Sequence, residues 1–395
     1  MQILPEKQNL ILAIDTSCDE TSVAVLLGNT VLSNFQPSQI DLHKQYGGVV
    51  PSIAKLAHQE RIDSVVIEAL KRSGKTIEEI DSIAVTKGPG LAIALEVGIK
   101  KAKELAEKYS KPLVNVNHME GHLLSAFAER NSKLPHPPQA VPPLLKERAV
   151  IPQFPAIGVL VSGGHTEFIL VEDFGKYKKI GETVDDACGE CFDKCGRFLG
   201  LGYPAGPTIS KFAKENRKNI KLEIINKNQS VIVKGVNIHS QKEYNLPIPM
   251  QHSGDLNFSY SGLKTAFRDF ISKFGESNLN SETIKDLCVV FEHAALMQVV
   301  LKLEKAVKIY NPKEIWLGGG VVASTQLRSL IRKSLNKNIK LRFPYSNKLT
   351  GDNAAMIGIV ANIITNDELR MKNNKEVYLD PKEFGEIDRE PNLSF

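Results

Sequence analysis

"NLILAIDTSCDETSVAVLLGNTVLSNFQ", residues 9–36, reads as an apolar strand, a polar loop, a second strand, a Gly-Asn turn and a third strand. The same order returns about 145 residues further on in "FPAIGVLVSGGHTEFILVEDFGKYKKIGE", residues 154–182. A repeat on this scale predicts a duplicated architecture. Each half then opens with a β-hairpin whose tip is rich in hydroxyl-bearing and small residues.

Outward from the hairpins, both halves continue with amphipathic helices and short apolar strands. These strands are "SIAVTKGPG" and "KPLVNVNH" in the first half, "EIWLGGGVV" and "NIKLRFPY" in the second. The pattern predicts an α/β protein of two similar lobes, 9–134 and 154–352, facing each other across a cleft with the hairpin tips directed into it. Between them, 135–153 is too proline-dense for helix or central strand and reads as a linker. A Lys- and Asn-rich stretch at 211–242 is expected to be an exposed insertion in the second lobe. A helix over about 353–372 is expected to pack back on the first lobe, and 373–395 to form an extended tail.

The 395 residues suffice for two cores, and 42% hydrophobic with 24% charged residues excludes disordered and fibrous classes. A net charge of +5 permits a polyanionic partner without requiring one. No apolar run approaches the roughly 20 residues of a membrane helix, and the beginning of the chain resembles neither a signal nor a transit peptide, so a cytoplasmic protein with no membrane partner is expected. Five cysteines without a secretion signal argue for reduced thiols. Cys188, Cys191 and Cys195 have a spacing reminiscent of iron–sulfur sites, but they lie where a helix is predicted to start and no fourth ligand is near.

The segment "VNHMEGHLLS", 116–125, places His118 and His122 about 40° apart on one helical face, a spacing suited to a metal. Two histidines packed in a helix interface would share that spacing. A zinc peptidase needs glutamate directly after the first histidine, where this chain has Met119; Glu120 falls about 200° from His118. A third ligand has to come from distant sequence.

Three loops follow apolar strands and suit phosphate through their exposed backbone N–H groups. They are "DTSCDET" at 15–21, "VSGGHT" at 161–166 and "LGGGVVAS" at 317–324. Asp19 and Glu20 lie side by side at a tip expected to face phosphate, which calls for a cation or a proton-transfer role to compensate.

Nine segments in order resemble the signatures of the TsaD family, the tRNA adenosine threonylcarbamoyltransferases once called O-sialoglycoprotein endopeptidases. They are DTSCDET, HKQYGGVVPSIAKLAHQERI, KGPGLAIALEVG, NHMEGHLLS, LVSGGHTEFI, YPAGP, FSYSGLKTAF, LGGGVVAS and TGDNAAMIG, spanning about residues 10–365. The resemblance implies an actin/Hsp70/sugar-kinase-like fold with duplicated βββαβα lobes around a nucleotide cleft. It implies an acyltransferase that moves the threonylcarbamoyl group from threonylcarbamoyl-AMP to N6 of the adenosine 3′-adjacent to the anticodon, in tRNAs reading ANN codons, and releases AMP. AMP or ATP are further occupants of the nucleotide site. Metal ligands are implied at His118, His122 and Asp352, a set that suits Fe(II), with zinc or magnesium as substitutes. Nucleotide contacts are implied at Leu160, Val161, Ser162, Gly163, Gly164, Asp193, Gly206 and Ser324, and the third loop adds Gly319 and Gly320. Asp19 is the implied acid–base helper, with Glu20 adjacent to it; His165 is the third candidate catalytic residue, sharing with the SGGHT backbone the hold on the AMP leaving group or making a structural hydrogen bond in the loop. Implied partners are tRNA, a metal-less TsaB-like paralogue, a small TsaE-like ATPase, and a TsaC-like enzyme that makes the adenylate.

The chain departs from the family in places. Asp15 stands where many relatives have Glu, and Ser324 where Asn is common, losing an amide donor. Two other readings compete. An ATP-dependent kinase or ATPase of the same fold has no need of a histidine pair with a carboxylate, because its Mg²⁺ takes oxygen ligands. A non-catalytic scaffold paralogue lacks the metal ligands, all three of which are present here.

Overall fold

Burial of every residue of β1 (Leu10–Asp15) marks it as a central strand. It pairs antiparallel with β2 (Ser22–Leu27), which continues antiparallel into β3 (Thr30–Phe35), and its other edge runs parallel to β4 (Ser82–Gly88). Helices α1 (Pro51–Ser73) and α2 (Ala92–Tyr109) carry the chain between strands, and β5 (Leu113–Asn117) lies parallel to β4. The sheet order is β5-β4-β1-β2-β3, lengthened by two-residue strands β6 (Glu129–Arg130) beside β3 and β15 (Tyr378–Leu379) beside β5. The computed structural model describes residues 8–39, 42–43, 46, 48–131, 152–227, 230–275, 278–365, 378–379 and 388–395. All but the last two residues of the predicted linker at 135–153 lie outside that set, as do 366–372 of the predicted helix and much of the predicted tail.

The second sheet repeats the first. Strands β7 (Ala156–Val161), β8 (Thr166–Asp173) and β9 (Lys176–Glu182) form the antiparallel meander. Later strands β13 (Glu314–Gly318) and β14 (Lys340–Arg342) add in parallel, giving β14-β13-β7-β8-β9. Strand order and sense match one for one, so the two halves share the predicted actin/Hsp70/sugar-kinase-like α/β plan. Both hairpin tips sit at the end of a fully buried first strand.

The lysine-rich segment differs from expectation. Instead of an exposed insertion, it supplies the end of helix α5 (Gly206–Asn216) and most of an antiparallel sheet of β10 (Ile220–Lys227), β11 (Ser230–Asn237) and β12 (Glu243–Ile248). Val231, Val233, Tyr244 and Leu246 are buried, packed with the 30-residue helix α7 (Ser281–Tyr310) in one core. The physical reason is period-two alternation in SVIVKGVN, which turns Val231, Val233, Gly235 and Asn237 inward and leaves Ser230, Ile232, Lys234 and Val236 on the outer face. A count of lysines hides that pattern.

Helix α9 (Ala354–Ile364) lies on the first sheet, its N-terminus tied by hydrogen bonds from Ala354 N to Ser22 Oγ (2.8 Å) and Ala355 N to Asn34 Oδ1 (3.2 Å). With Leu123, Leu160 and Trp316 it builds an apolar cluster bridging the two sheets. The chemistry-bearing loops gather beside this bridge.

Candidate active site

Strand β5 ends at Asn117, whose Oδ1 accepts from Met119 N (2.8 Å) and Glu120 N (3.4 Å) and so caps α3 (His118–Leu124). This strand-to-helix turn delivers His118 as the first helical residue and His122 one turn later, with ring centroids 4.8 Å apart. Asp352 arrives from the turn before α9, where the Asn353 side chain caps the helix through Met356 N (3.2 Å). Its Oδ1 lies 3.1 Å from His122 Nε2 and 3.5 Å from His118 Nε2. The three donor atoms fall within 4.8 Å of one another, and among the described residues this is the one such convergence of three His, Cys, Asp or Glu side chains.

The surroundings complete the site. Asp15 Oδ2 stands 3.6 Å from His118 Nδ1, and Asp15 Oδ1 accepts from Thr86 Oγ1 (2.8 Å) and Ser17 N (3.2 Å). A carboxylate behind a ligating histidine selects the tautomer whose Nε2 is free for a cation. Burial disfavours the charged His118, but Asp15 and Asp352 outweigh it and raise its pKa to about 10. The same two carboxylates would stabilise a divalent ion, so the donor set fits one. Gly318 lets β13 press on this helix, since a Cβ there would lie 2.1 Å from the His122 carbonyl oxygen. Glu120 points away from the metal face and accepts a hydrogen bond from Tyr177 OH of β9 (2.7 Å).

Asp19 and Glu20 form the half-buried β1–β2 tip. Burial and the adjacent Asp19 raise Glu20 to about 7, against hydrogen bonds from Gln39 N and the Gln36 side chain. Across from them, the β7–β8 tip closes on itself: Ser162 N donates to His165 O (2.8 Å) and His165 N to Ser162 Oγ (3.0 Å). Burial, then the positive charge of His118 and His122, lowers His165 to about 4, so its imidazole is neutral at physiological pH.

Beyond this tip lies a cavity of about 760 Å³. Gly163, Asp193, Gly206, Gly320 and Ser324 of the predicted nucleotide set line it. Leu160, Val161, Ser162, Gly164 and Gly319 do not. The first two are buried on β7, and Gly319, at φ 95°, sits where a Cβ would come within 2.4 Å of the Val161 carbonyl oxygen, so its glycine answers a backbone need. Asp193, at the cavity wall on α4 (Cys188–Phe198), spends Oδ1 on Ala205 N (2.7 Å) and Gly206 N (3.3 Å). Ser324 Oγ accepts from Leu327 N (3.3 Å) as the cap of α8 (Thr325–Ser334). Sequence reasoning missed Lys211, Lys214, Arg217 and Glu292 on the same wall, the last two ion-paired. Their signal was the pair Lys211 and Lys214, neighbours three apart on α5, with Arg217 at the same interval just past its end. It also gave Asp15 no part at the metal. The three cysteines of α4 are buried, Cys191 and Cys195 having sulfurs 3.9 Å apart, and belong to the core.

A duplicated α/β fold with a nucleotide-sized cavity beside the hairpin tip of its second sheet defines a protein of the actin, Hsp70 and sugar-kinase class. HypF of T. kodakarensis shares the fold, with a TM-score of 0.54 over 94% of this chain and 49% of that chain at 13% identity. A full-length HypF crystal structure in the phosphate- and nucleotide-bound form gives 0.52 over 93% and 57%. Within that class the chain belongs to the TsaD family: the family model described as tRNA N6-adenosine threonylcarbamoyltransferase matches residues 30–144 and 143–359. Relatives of that name from Thermodesulfovibrio yellowstonii and Thermosipho africanus are 40% and 41% identical, each over 89% of this chain and 92% of their own. One from Clostridium perfringens is 40% identical over 90% and 92%. The chain is accordingly an acyltransferase of tRNA modification. No helix among the described residues is long and apolar enough to cross a membrane.

Proposed function

We propose that this chain transfers the threonylcarbamoyl group of threonylcarbamoyl-AMP to N6 of the adenosine 3′-adjacent to the anticodon in tRNAs reading ANN codons. The observation that carries the reading is the His118/His122/Asp352 convergence beside the cavity, with the 162–165 tip as their shared border. In the reaction the N6 amine attacks the carbamoyl carbon, the new N–C bond forms, the C–O bond to phosphate breaks, and AMP departs with that electron pair.

His118, His122 and Asp352 would hold a divalent ion, Fe(II) in this reading with zinc or magnesium as substitutes, which would polarise the carbamoyl carbonyl. The AMP moiety occupies the cavity, with the Gly163–Gly164 backbone and Gly320 toward phosphate and Asp193 toward the ribose hydroxyls. Glu20, poised near 7, takes the proton lost by the amine while Asp19 orients that amine. His165 stays neutral and donates a hydrogen bond toward the leaving phosphate. The reading includes tRNA as substrate, a TsaB-like paralogue and a TsaE-like ATPase as partners, and a TsaC-like enzyme as supplier of the adenylate. Family membership supports these, and a cytoplasmic location follows from the tRNA substrate.

The test is nucleoside mass spectrometry of an ANN-decoding tRNA transcript after incubation with this protein, its partner subunits and threonylcarbamoyl-AMP. Product from the wild type and none from His118→Ala is the expected result. Product from neither, with metal and tRNA binding intact, would favour a scaffold instead.

A further inference from the structure

The tip that carries Asp19 and Glu20 is held from behind by one buried histidine. His58, on α1, is fully buried. Its Nδ1 lies 2.8 Å from Thr21 Oγ1 and its Nε2 3.0 Å from the Cys18 carbonyl oxygen. A carbonyl only accepts, so Nε2 carries the hydrogen and Nδ1 accepts from the Thr21 hydroxyl. Thr21 Oγ1 in turn accepts from Gln39 Nε2 (3.1 Å), and Thr21 and Gln39 are as buried as the histidine. The two anchors, Cys18 and Thr21, bracket Asp19 and Glu20. Asp352 stands near enough for its charge to act on both Cys18 and Glu20, so this tip is the part of the first lobe that confronts the metal ligands.

We infer that His58 is a positioning residue for the transfer reaction, fixing both ends of the Cys18–Thr21 tip so that Asp19 and Glu20 meet the substrate amine. The inference rests on the roles proposed above for Asp19 and Glu20. One ring supplies a donor and an acceptor in opposite directions, a pairing that holds only in the neutral, Nε2–H form. Burial keeps His58 in that form by lowering its pKa. No aliphatic side chain supplies either bond, and each amide reproduces one of them. Asn places Oδ1 near the position of Nδ1 and keeps the acceptor for Thr21, whereas Gln places a nitrogen near Nε2 and keeps the donor to Cys18.

The experiment measures steady-state transfer to tRNA by the protein with its partner subunits, for wild type, His58→Ala, His58→Asn, His58→Gln, Glu20→Gln and His58→Ala/Glu20→Gln, together with metal content and Tm. His58→Ala is expected to lower kcat at least tenfold while metal content and KM for the adenylate stay within twofold of wild type. His58→Asn and His58→Gln should recover part of that loss. In the double variant the losses should be less than multiplicative, because both act on the same proton transfer. Multiplicative losses, or a fall in Tm that the amide variants reverse without restoring kcat, would overturn the inference and leave His58 a core residue. If Glu20→Gln alone leaves the rate unchanged, the failure belongs to the acid–base reading of the tip, and this inference falls with it.

Discussion

The β1–β2 and β7–β8 tips occupy equivalent places in two matching sheets, yet they are held by opposite means. Side chains from other elements scaffold the first: Thr86 bonds Asp15, and His58 and Gln39 bond Thr21. The second is held by its own backbone and serine, with Gly189 N of α4 adding a bond to Ser162 O (3.1 Å). The difference follows from what each tip must bury. Three carboxylates within residues 15–20 are costly to desolvate unless each finds donors or a cation, and a framework of side chains provides them. A tip of Ser-Gly-Gly has no such charge, and the role proposed for it requires bare N–H groups with space in front. Cβ atoms built on Gly163 or Gly164 would meet nothing within 4 Å. The two backbone paths match, and in the proposed reaction one tip serves cations and proton transfer, the other phosphate.

The sharpest way to break this contrast is to neutralise the first tip's proton acceptor. A base works when ionised, so the wild-type rate should rise with pH through about 7 and level off above it. Glu20→Gln should lose roughly a hundredfold in kcat and lose that acidic limb. The linkage has a defined sign as well. The folded pKa lies above the ordinary 4.5, so the protonated side chain favours the fold, and its contribution is complete below 4.5 and lost as pH rises through about 7. Between pH 5 and pH 8 the wild type should therefore lose more Tm than Glu20→Gln. An unchanged pH–rate profile in the variant would assign the base elsewhere.

The next effect separates ligand from support. Asp15→Asn keeps the shape of the side chain and removes the charge behind His118. It should weaken metal affinity by about 10- to 100-fold, the usual effect of removing a carboxylate partner from a ligating histidine. Titration of the apoprotein with Zn²⁺, read by competition with a chelator, measures this directly. Activity at saturating metal should recover most of its wild-type value. Failure to recover would place Asp15 among the groups that act on substrate.

These sites were unequally legible in the sequence. The hairpins were plain because a strand buried on both sides must be continuously apolar, and LILAID and AIGVLV are nearly so. The histidine pair was plain because helical geometry converts a spacing of four into one face, and the same geometry turned Glu120 away toward Tyr177. Asp352 was invisible to local reasoning. It lies 230 residues from His122 and meets it only because α9 crosses back onto the first sheet, so the family resemblance alone pointed to it. The β10–β12 sheet was obscured for a different reason: the lysines and asparagines of this stretch dominated its composition and masked the alternation that buries Val231 and Val233. His58 sat unremarked inside a recognised motif, since a partner approaching from behind a loop leaves no periodic trace.

The smallest effect sharpens the comparison from the second lobe, where the tip relies on backbone and side-chain donors such as Lys211, Lys214 and Ser324 stand on the cavity wall instead. Ser324 uses its oxygen to cap α8 and keeps only a hydroxyl proton to offer the cavity. Asparagine caps a helix about as well as serine, so Ser324→Asn should leave Tm nearly unchanged. The amide adds a donor at the wall, and one neutral hydrogen bond contributes about 1 kcal/mol. AMP should then bind up to about fivefold more tightly by calorimetry, without change in metal affinity or in the pH–rate profile. A change in either of those would mean that the cavity and the metal ligands are coupled through the 162–165 tip. The two tips would then act as one device, and their division of labour would be a difference of composition only.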